Sequence, residues 1–154
     1  MGWVKVTAKA EYAVRAMLEL ATTEDSLLKG ERIARSQGIP LKFLENILVD
    51  LRHANLVHAQ RGAEGGYRLA REPEEITLGE VIRAVEGPLA SVRGEPPERM
   101  AYEGSSENLR KVWVAVRASL RSVLDNLTLA DVVADRMPEH ISRLTEAPDA
   151  WLRR

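Results

Sequence analysis

The sequence predicts a mainly α-helical protein that carries one small β-hairpin, and three observations lead to this fold class. Of the 154 residues, 45% are hydrophobic but only 5% are aromatic, so the core must consist mostly of aliphatic side chains, which favours helices. Apolar residues recur at three- and four-residue spacing along most of the chain, as on the buried face of a helix. The stretch 60–69, QRGAEGGYRL, holds three glycines within five residues, and glycines supply the positive φ angles that hairpin loops need.

Three helices are predicted in the first third of the chain. The first spans 7–21 with Thr7 as its N-cap, and a polar break, TTEDS, follows it. The second spans 29–37 and ends at Gly38. The third spans 40–54 with Pro40 in its first turn, and its buried face is expected to be Leu41, Leu44, Ile47, Leu48 and Leu51. The link between the second and third helices, GIP, is so short that the pair indicates a helix-turn-helix.

A hairpin and a fourth helix follow at once. Residues 56–61 and 67–70 are expected to pair across the loop GAEGG, and a helix-turn-helix followed by a hairpin is the element order of a winged helix. The fourth helix, 77–87, begins with a capping box between Thr77 and Glu80 and ends at Gly87. Residues 1–87 are therefore predicted to form a winged helix-turn-helix domain.

The second half is predicted to contain a long helix behind a flexible loop. The loop, 88–104, holds three of the seven prolines, and the helix spans about 106–125 from a cap at Ser105–Ser106. Its stripe can be a core face or a dimerisation face. Dimerisation is favoured, because the stripe is long and the winged part already has its own apolar faces. The predicted contact residues are Leu109, Val112, Trp113, Val116, Leu120 and Leu124.

The remaining residues complete the domain plan. A capping box between Thr128 and Asp131 opens a last short helix, so residues 105–137 are assigned to dimerisation helices. The tail, 138–154, is polar and is expected to be partly disordered.

Composition excludes several classes of function. The chain has no cysteine, which rules out disulfides and cysteine-ligated zinc or iron–sulfur centres. It has no apolar run of about 18 residues and no apolar signal segment, so a cytoplasmic protein without a membrane span is expected. The three histidines lack metal-ligand spacing, GAEGG lacks the lysine of a phosphate-binding loop, and no G-x-S-x-G serine turn occurs. No enzyme activity, metal or cofactor is predicted.

Charge and element order point instead to DNA. Residues 1–71 hold 11 Lys and Arg against 8 Asp and Glu, a balance of +3, whereas residues 72–154 hold 11 against 15, a balance of −4. In a helix-turn-helix the second helix enters the major groove. There Lys42 could reach a phosphate or guanine, Glu45 a cytosine amino group and Asn46 an adenine. Arg61 could enter the minor groove, with the amides of the wing loop (Gly62, Gly65 and Gly66) near phosphate.

These residues carry a family resemblance over about residues 4–134. The matching pieces are VTAKAEYAVRAMLELA, ERIARSQGIPLKFLENILVDLRHANLV, RGAEGGYRLAREPEEITLGEVIRAVEGPLA, and LRKVW leading to VLDNLTLADVV. In this order they resemble the Rrf2 family of bacterial winged-helix regulators. The resemblance implies a homodimer that binds a palindromic operator in double-stranded DNA. It implies recognition-helix roles for Lys42, Phe43, Glu45 and Asn46, a wing role for Arg61, and a position near the phosphates for Lys9.

The sequence departs from the family pattern at three places. Many relatives hold an iron–sulfur cluster through three cysteines, but the corresponding segment, 92–107, reads VRGEPPERMAYEGSSE. Substitute ligands there would be Glu95, Glu98, Met100, Glu103 and Glu107, although a solvated acidic loop is the favoured interpretation. Ala10–Glu11 stands where relatives often have Gly-Arg, and Ala63–Glu64 where they often have Pro-Gly. Both changes add acid or remove base near the expected DNA surface.

The sequence therefore predicts a homodimeric, sequence-specific regulator, a repressor that does not sense through a cysteine-ligated cluster. Its signal would be a small-molecule effector, a protein effector or its own abundance. Two alternatives stay open at this point. One is a winged-helix protein-interaction module with little DNA affinity, and the other is a sensor with a non-cysteine metal site.

Overall fold

The first half of the computed structural model contains the three predicted helices. The structure describes residues 5–23 and 26–154, so Glu24 and Asp25 of the polar break, and residues 1–4 of the first predicted domain, lie outside the described residues. The helices are α1 (Ala8–Ala21), α2 (Gly30–Gln37) and α3 (Leu41–His53). The Thr7 hydroxyl accepts a hydrogen bond from the Ala10 amide at 3.1 Å, which confirms the predicted N-cap. Gly38 ends α2 with a φ of 64°, a left-handed conformation that favours glycine.

The buried face of α3 differs from the prediction at one position. Leu44, Ile47, Leu48 and Leu51 are buried as expected, but Leu41 is 37% exposed. The reason is its place in the first turn, directly after Pro40, which lies just outside the helix. There Leu41 lies over the small residue Gly30 rather than inside the core.

The predicted hairpin forms and gains a third partner. Strands β1 (Val57–Gln60) and β2 (Gly66–Leu69) pair antiparallel, with Val57 opposite Leu69 and Gln60 opposite Gly66. Leu28 adds a bridge to the outer side of β2, where its amide and carbonyl exchange hydrogen bonds with Tyr67 at 2.9 and 2.7 Å. This bridge ties the hairpin to the segment just before α2, so β2 has a hydrogen-bonded partner on each side.

Helix α4 (Leu78–Glu86) closes the core of the winged domain. Both hydrogen bonds of the predicted capping box between Thr77 and Glu80 are present. The helix lies against α1 and α3, and its buried side chains join one apolar cluster with theirs. The mainly α-helical winged fold is thereby confirmed.

Segment 88–104 lies along the next helix. Its 3-10 turn, Pro97–Arg99, contacts helix α5 (Leu109–Leu124), and Pro97 and Met100 are buried. Val92 and Glu95 exchange backbone hydrogen bonds at 2.8 and 3.0 Å. The mobility expected for this segment stays a prediction.

The long helix α5 (Leu109–Leu124) begins three residues later than predicted. Residues Gly104–Ser106 form a 3-10 turn instead of a cap, and Asn108 precedes the helix without a side-chain capping bond. Every residue of α5 is at least partly exposed, although its apolar stripe continues for four turns. No helix in the described ranges has the length and apolarity to cross a membrane.

Helix α6 (Leu129–Val133) connects α5 back to the winged domain. The predicted capping box between Thr128 and Asp131 is confirmed. Around it, the Leu78 amide donates to the Leu127 carbonyl and the Leu129 amide to the Ile76 carbonyl, both at 2.9 Å. Thr77 and Thr128 face each other in this short antiparallel contact, which is called the Thr77–Thr128 joint.

A side-chain contact reinforces the joint. The two terminal nitrogens of Arg83 donate to the carboxylate of Asp125 at 2.6 and 3.3 Å. Gly79 lies beneath this carboxylate, so close that a β-carbon there would be 1.9 Å from Asp125 Oδ1. Helix α4 and the end of α5 are therefore held together by main-chain and side-chain bonds.

The polar tail contains a helix that was not predicted, α7 (Glu139–Glu146). Ile141 is 6% exposed, and the His140 ring shares a 3.0 Å hydrogen bond with the Ser122 carbonyl of α5. The partial disorder expected for the tail 138–154 stays a prediction.

Candidate nucleic-acid interface

The outer face of α3 presents the residues that the sequence assigned to DNA. Lys42, Phe43, Glu45 and Asn46 are all exposed, while the buried residues of the same helix are Leu44, Ile47, Leu48 and Leu51. Glu45 and Asn46 are the i+3 and i+4 neighbours of Lys42, and Asn46 is also the i+3 neighbour of Phe43, so the four side chains form one connected patch. The patch offers a cation, an amide, a carboxylate and an apolar ring, which suit contacts to phosphates and base edges.

Phe43 is only half available within this patch. Its ring meets the Tyr12 ring edge-to-face, with centroids 5.6 Å apart and planes at 82°, and 39% of the residue is exposed. The pair fixes α3 against α1. Phe43 therefore supports the position of the recognition helix as well as contributing to its surface.

Arg15 of α1 contacts both Tyr12 and the end of α2. Its guanidinium lies 5.5 Å from the Tyr12 ring centroid and forms an ion pair with Glu11 at 3.1 Å. It also donates to the main-chain carbonyl of Gln37. Arg15 thus holds the end of α2 next to α1, and Glu11, one of the acidic departures, is its partner.

Lys9 is paired rather than free. Its ammonium lies 2.9 Å from Asp50 Oδ2, and the two side chains are 35% and 36% exposed. Such a half-exposed pair contributes up to about 1 kcal/mol and is weakened by salt. The contact joins the start of α1 to α3, so Lys9 must share its charge between Asp50 and any phosphate.

The three glycines of the wing loop have different physical roles. Gly62 has a φ of 103° with open space around it, and its carbonyl accepts from the Gly65 amide at 3.0 Å. A β-carbon at Gly65 would lie 2.0 Å from the Gln60 carbonyl oxygen, and one at Gly66 would lie 2.6 Å from that of Leu28. Gly65 and Gly66 are therefore required because other backbone atoms approach them closely, and Gly62 is favoured because its φ is positive. Together they leave Arg61 exposed at the base of the loop.

Several cations of the winged domain have no ion-pair partner among the described residues. Besides Lys42 and Arg61, they are Lys5, Lys29, Arg32, Arg35, Arg52 and Arg68, each exposed. Lys42 and Arg61 belong to the predicted site. The other cations are additional candidates for contacts to DNA phosphates. Cations that are not already neutralised by a carboxylate can pair with the phosphates of a polyanion.

The acidic segment 92–107 is engaged with α5. Glu98 pairs with Arg117 at 2.5 Å, and the pKa of Glu98 lies below its usual value, chiefly because a backbone amide donates to its carboxylate and secondly because of Arg117. The Tyr102 hydroxyl accepts from the Trp113 indole at 2.9 Å. Across the described ranges, no three His, Asp or Glu side chains come close enough together to hold a metal ion.

Comparisons with known proteins agree with this geometry. A family model described as Rrf2, iron-dependent transcriptional regulator, matches residues 6–135. A Mycobacterium tuberculosis protein, named as a proposed HTH-type transcriptional regulator, is 48% identical over 144 residues, which covers 93% of this chain and 89% of that protein. The HTH-type transcriptional regulator CymR of Bacillus subtilis is 33% identical over 132 residues, covering 85% and 91% respectively.

Two solved structures share the fold. The structure of CymR, described as the global cysteine regulator of B. subtilis, matches with a TM-score of 0.71 at 32% identity, covering 86% of this chain and 98% of that one. The structure of T. potens IscR matches with a TM-score of 0.70 at 35% identity, covering 91% and 96%. Both identities are high enough to support family membership as well as fold.

The matching family model is described as iron-dependent, but the side chains of this protein do not fit an iron–sulfur cluster. Iron–sulfur clusters are held by cysteine thiolates, and the chain has none. Segment 92–107 offers scattered carboxylates and the thioether of buried Met100, and Glu98 is already paired. A cysteine-ligated cluster is therefore impossible here, whereas the winged helix and its exposed cations are intact. By its fold, its α3 surface and its match over residues 6–135, the chain belongs to the Rrf2 family of DNA-binding transcriptional regulators and is not an enzyme.

Proposed function

We propose that the chain is a cytoplasmic homodimeric repressor that binds a palindromic operator and does not sense through a cysteine-ligated iron–sulfur cluster. The observation that carries this proposal is the state of α5. Its apolar stripe has no buried residue, and Val112 is 49% exposed. An apolar helix face that the rest of its own chain covers only in part favours a second copy as the partner.

The predicted contact residues suit this role to different degrees. Leu109, Val116, Leu120 and Leu124 are partly exposed along the same side of α5. Trp113 is already hydrogen-bonded to Tyr102, so it would support the edge of the interface instead of its centre. Two copies joined along α5 would present two α3 helices, and half-sites of such dimers lie about one DNA turn, or a multiple of it, apart.

In the proposed complex, α3 enters the major groove and Arg61 the minor groove. Lys42 and Asn46 provide the base and phosphate contacts, and Glu45 selects against positions that lack an amino group. Repression would follow from occupation of a promoter by the dimer. Because no cysteine is present to hold a cluster, we expect the signal to be a small molecule, a protein partner or the amount of the regulator itself.

The DNA-binding part is tested on a fragment from upstream of the protein's own gene. The wild-type affinity is measured at a low and a high salt concentration, and then for the double variant K42A/R61A. A charge-matched control, R136A/R153A, removes two exposed cations from the second half. We expect the double variant to lose about 100-fold or more in affinity and to show a smaller salt slope, while the control binds as the wild type.

Two outcomes would contradict this part of the proposal. One is weak, sequence-blind binding by the wild-type protein. The other is an unchanged regulatory activity of K42A/R61A in cells, which would support the alternative of a protein-interaction module.

The dimer is tested by sedimentation equilibrium. L120E places a charge in the centre of the α5 stripe, whereas A118E places the same charge on the opposite, exposed side of the helix. We expect L120E to be monomeric and A118E to remain dimeric. A wild-type protein that is monomeric at micromolar concentration would refute dimerisation through α5.

A further inference from the structure

A groove between segment 87–98 and α5 has the composition of a small-ligand site. One wall consists of residues of segment 87–98, and the other consists of Arg83 from α4 and Arg117 and Arg121 from α5. Its volume is about 510 Å³, within the range of small-molecule sites. We propose that this groove, here called the α5 groove, binds a small organic carboxylate as the effector of this regulator. The effector role rests on the proposed function above.

The charges of the groove favour a single carboxylate. Arg83 is paired with Asp125 and Arg117 with Glu98, whereas the exposed side chain of Arg121 has no hydrogen-bond or ion-pair partner among the described residues. The groove therefore holds one positive charge in excess. A planar guanidinium binds a carboxylate through two parallel hydrogen bonds, which is the geometry that Arg121 can offer.

The protein itself shows that a carboxylate can bind at this wall. Glu98 belongs to the opposite wall, its side chain is 55% exposed, and its carboxylate reaches across to Arg117. Arg117 lies one helical turn before Arg121 on the same side of α5. Only 17% of the Arg117 side chain is exposed, so the ion pair of Arg117 with Glu98 is partly desolvated. Charges in such a position interact more strongly than in bulk water.

The apolar part of the groove favours an organic anion over an inorganic one. Leu89, Ala90 and Pro96 belong to the wall formed by segment 87–98, and all three are half-buried. An aliphatic or aromatic body could cover these side chains while its carboxylate meets Arg121. Inorganic phosphate would satisfy the charge but leave this surface uncovered.

The groove also lies where a ligand can influence the winged domain. Arg83 lines the groove and at the same time bridges α4 to Asp125 beside the Thr77–Thr128 joint. Helix α4 in turn contacts α1 and α3. A carboxylate bound in the groove would compete with Asp125 for Arg83. It would thereby change the connection between α5 and, through α4, the helix α3.

The experiment is a calorimetric titration of the full-length protein with benzoate, its uncharged analogue benzamide, and phosphate. We expect benzoate to bind with a dissociation constant of about 1 mM or tighter, and phosphate and benzamide to bind at least about fivefold more weakly. R121Q should weaken benzoate binding about tenfold. The control R110Q, an exposed arginine on the same helix outside the groove, should bind benzoate as the wild type does.

A second measurement reads the effector role. Saturating benzoate should change the operator affinity of the wild type several-fold and leave that of R121Q unchanged, while both bind the operator equally without benzoate. Absence of benzoate binding, equal binding of phosphate, or an unaltered R121Q titration would overturn the site. Benzoate binding with an unchanged operator affinity would overturn the effector role. The titration contains no DNA, so a failure to bind the operator without ligand would fault the proposed function alone.

Discussion

The wing loop offers a sharp test of how closely its backbone is built, through the substitution Gly65→Ala. A β-carbon at Gly65 would lie 2.0 Å from the Gln60 carbonyl oxygen and 2.8 Å from the carbonyl carbon of Arg61. Both neighbours are main-chain atoms, which cannot rotate away as a side-chain end can. Non-bonded carbon atoms prefer separations of about 3.5 Å or more, so the loop has to move by about 1 Å or more.

The expected cost follows from this displacement. Forcing one extra methyl group into a filled site typically costs about 1–3 kcal/mol in the free energy of unfolding. For a chain of this size, about 2 kcal/mol lowers the melting temperature by about 4–8 °C. The shift also moves Arg61, because residues 61–65 form the displaced loop, so operator affinity should fall even at temperatures where the variant is folded.

The assay compares melting temperatures of wild type, G65A and G30A at one protein concentration, since dimerisation would make the values concentration-dependent. A β-carbon at Gly30 would only reach ordinary contacts of 3.8 Å with Leu41 and Tyr67. G30A should therefore melt at the wild-type temperature or slightly above it, because alanine restricts the unfolded chain. A G65A protein that melts within about 1 °C of wild type would refute the steric argument.

Three other predictions follow from the described contacts. Thr77→Ala removes the capping box of α4 and should lower the free energy of unfolding by about 1 kcal/mol, whereas T77S should restore most of it; chemical denaturation measures both. Met17→Ala opens a cavity at a fully buried site and should cost about 2–5 kcal/mol by the same assay. An NMR titration should find the pKa of Glu98 below its usual value, and R117Q should raise that pKa only in part, because the backbone hydrogen bond is the larger cause. The stabilisation from Glu98 should be complete above the pKa of an unfolded glutamate and disappear as pH falls through the lowered folded pKa.

Local signals were sufficient for most of the fold. The N-cap at Thr7 and the capping boxes at Thr77 and Thr128 depend on residues three positions apart, so the sequence displays them directly. The hairpin was also predictable, because its glycines and flanking strands adjoin each other in the chain. The start of α5 was predicted less accurately. The residues expected to cap the helix, Ser105–Ser106, belong to the 3-10 turn Gly104–Ser106, and α5 begins only at Leu109.

Contacts between distant residues could not be predicted in this way. Neither the bridge from Leu28 to Tyr67 nor the pair of Lys9 with Asp50 has a sequence signature. The exposed patch of α3 followed from helical periodicity, but the partial burial of Phe43 depends on Tyr12, which lies 31 positions earlier. The α5 groove combines three segments, so only the folded chain shows that its three arginines share one wall.

The Thr77–Thr128 joint has a consequence for how a regulator of this kind changes over generations. Its main contacts are hydrogen bonds between backbone groups, from Leu78 to Leu127 and from Leu129 to Ile76. Such bonds are indifferent to most side-chain replacements. In a dimer built on α5, the backbone contacts would determine the distance between the two operator halves. A few side chains of α3 would determine which bases are preferred. Related regulators would then differ in the base sequence of their operators while the spacing between the half-sites stays the same.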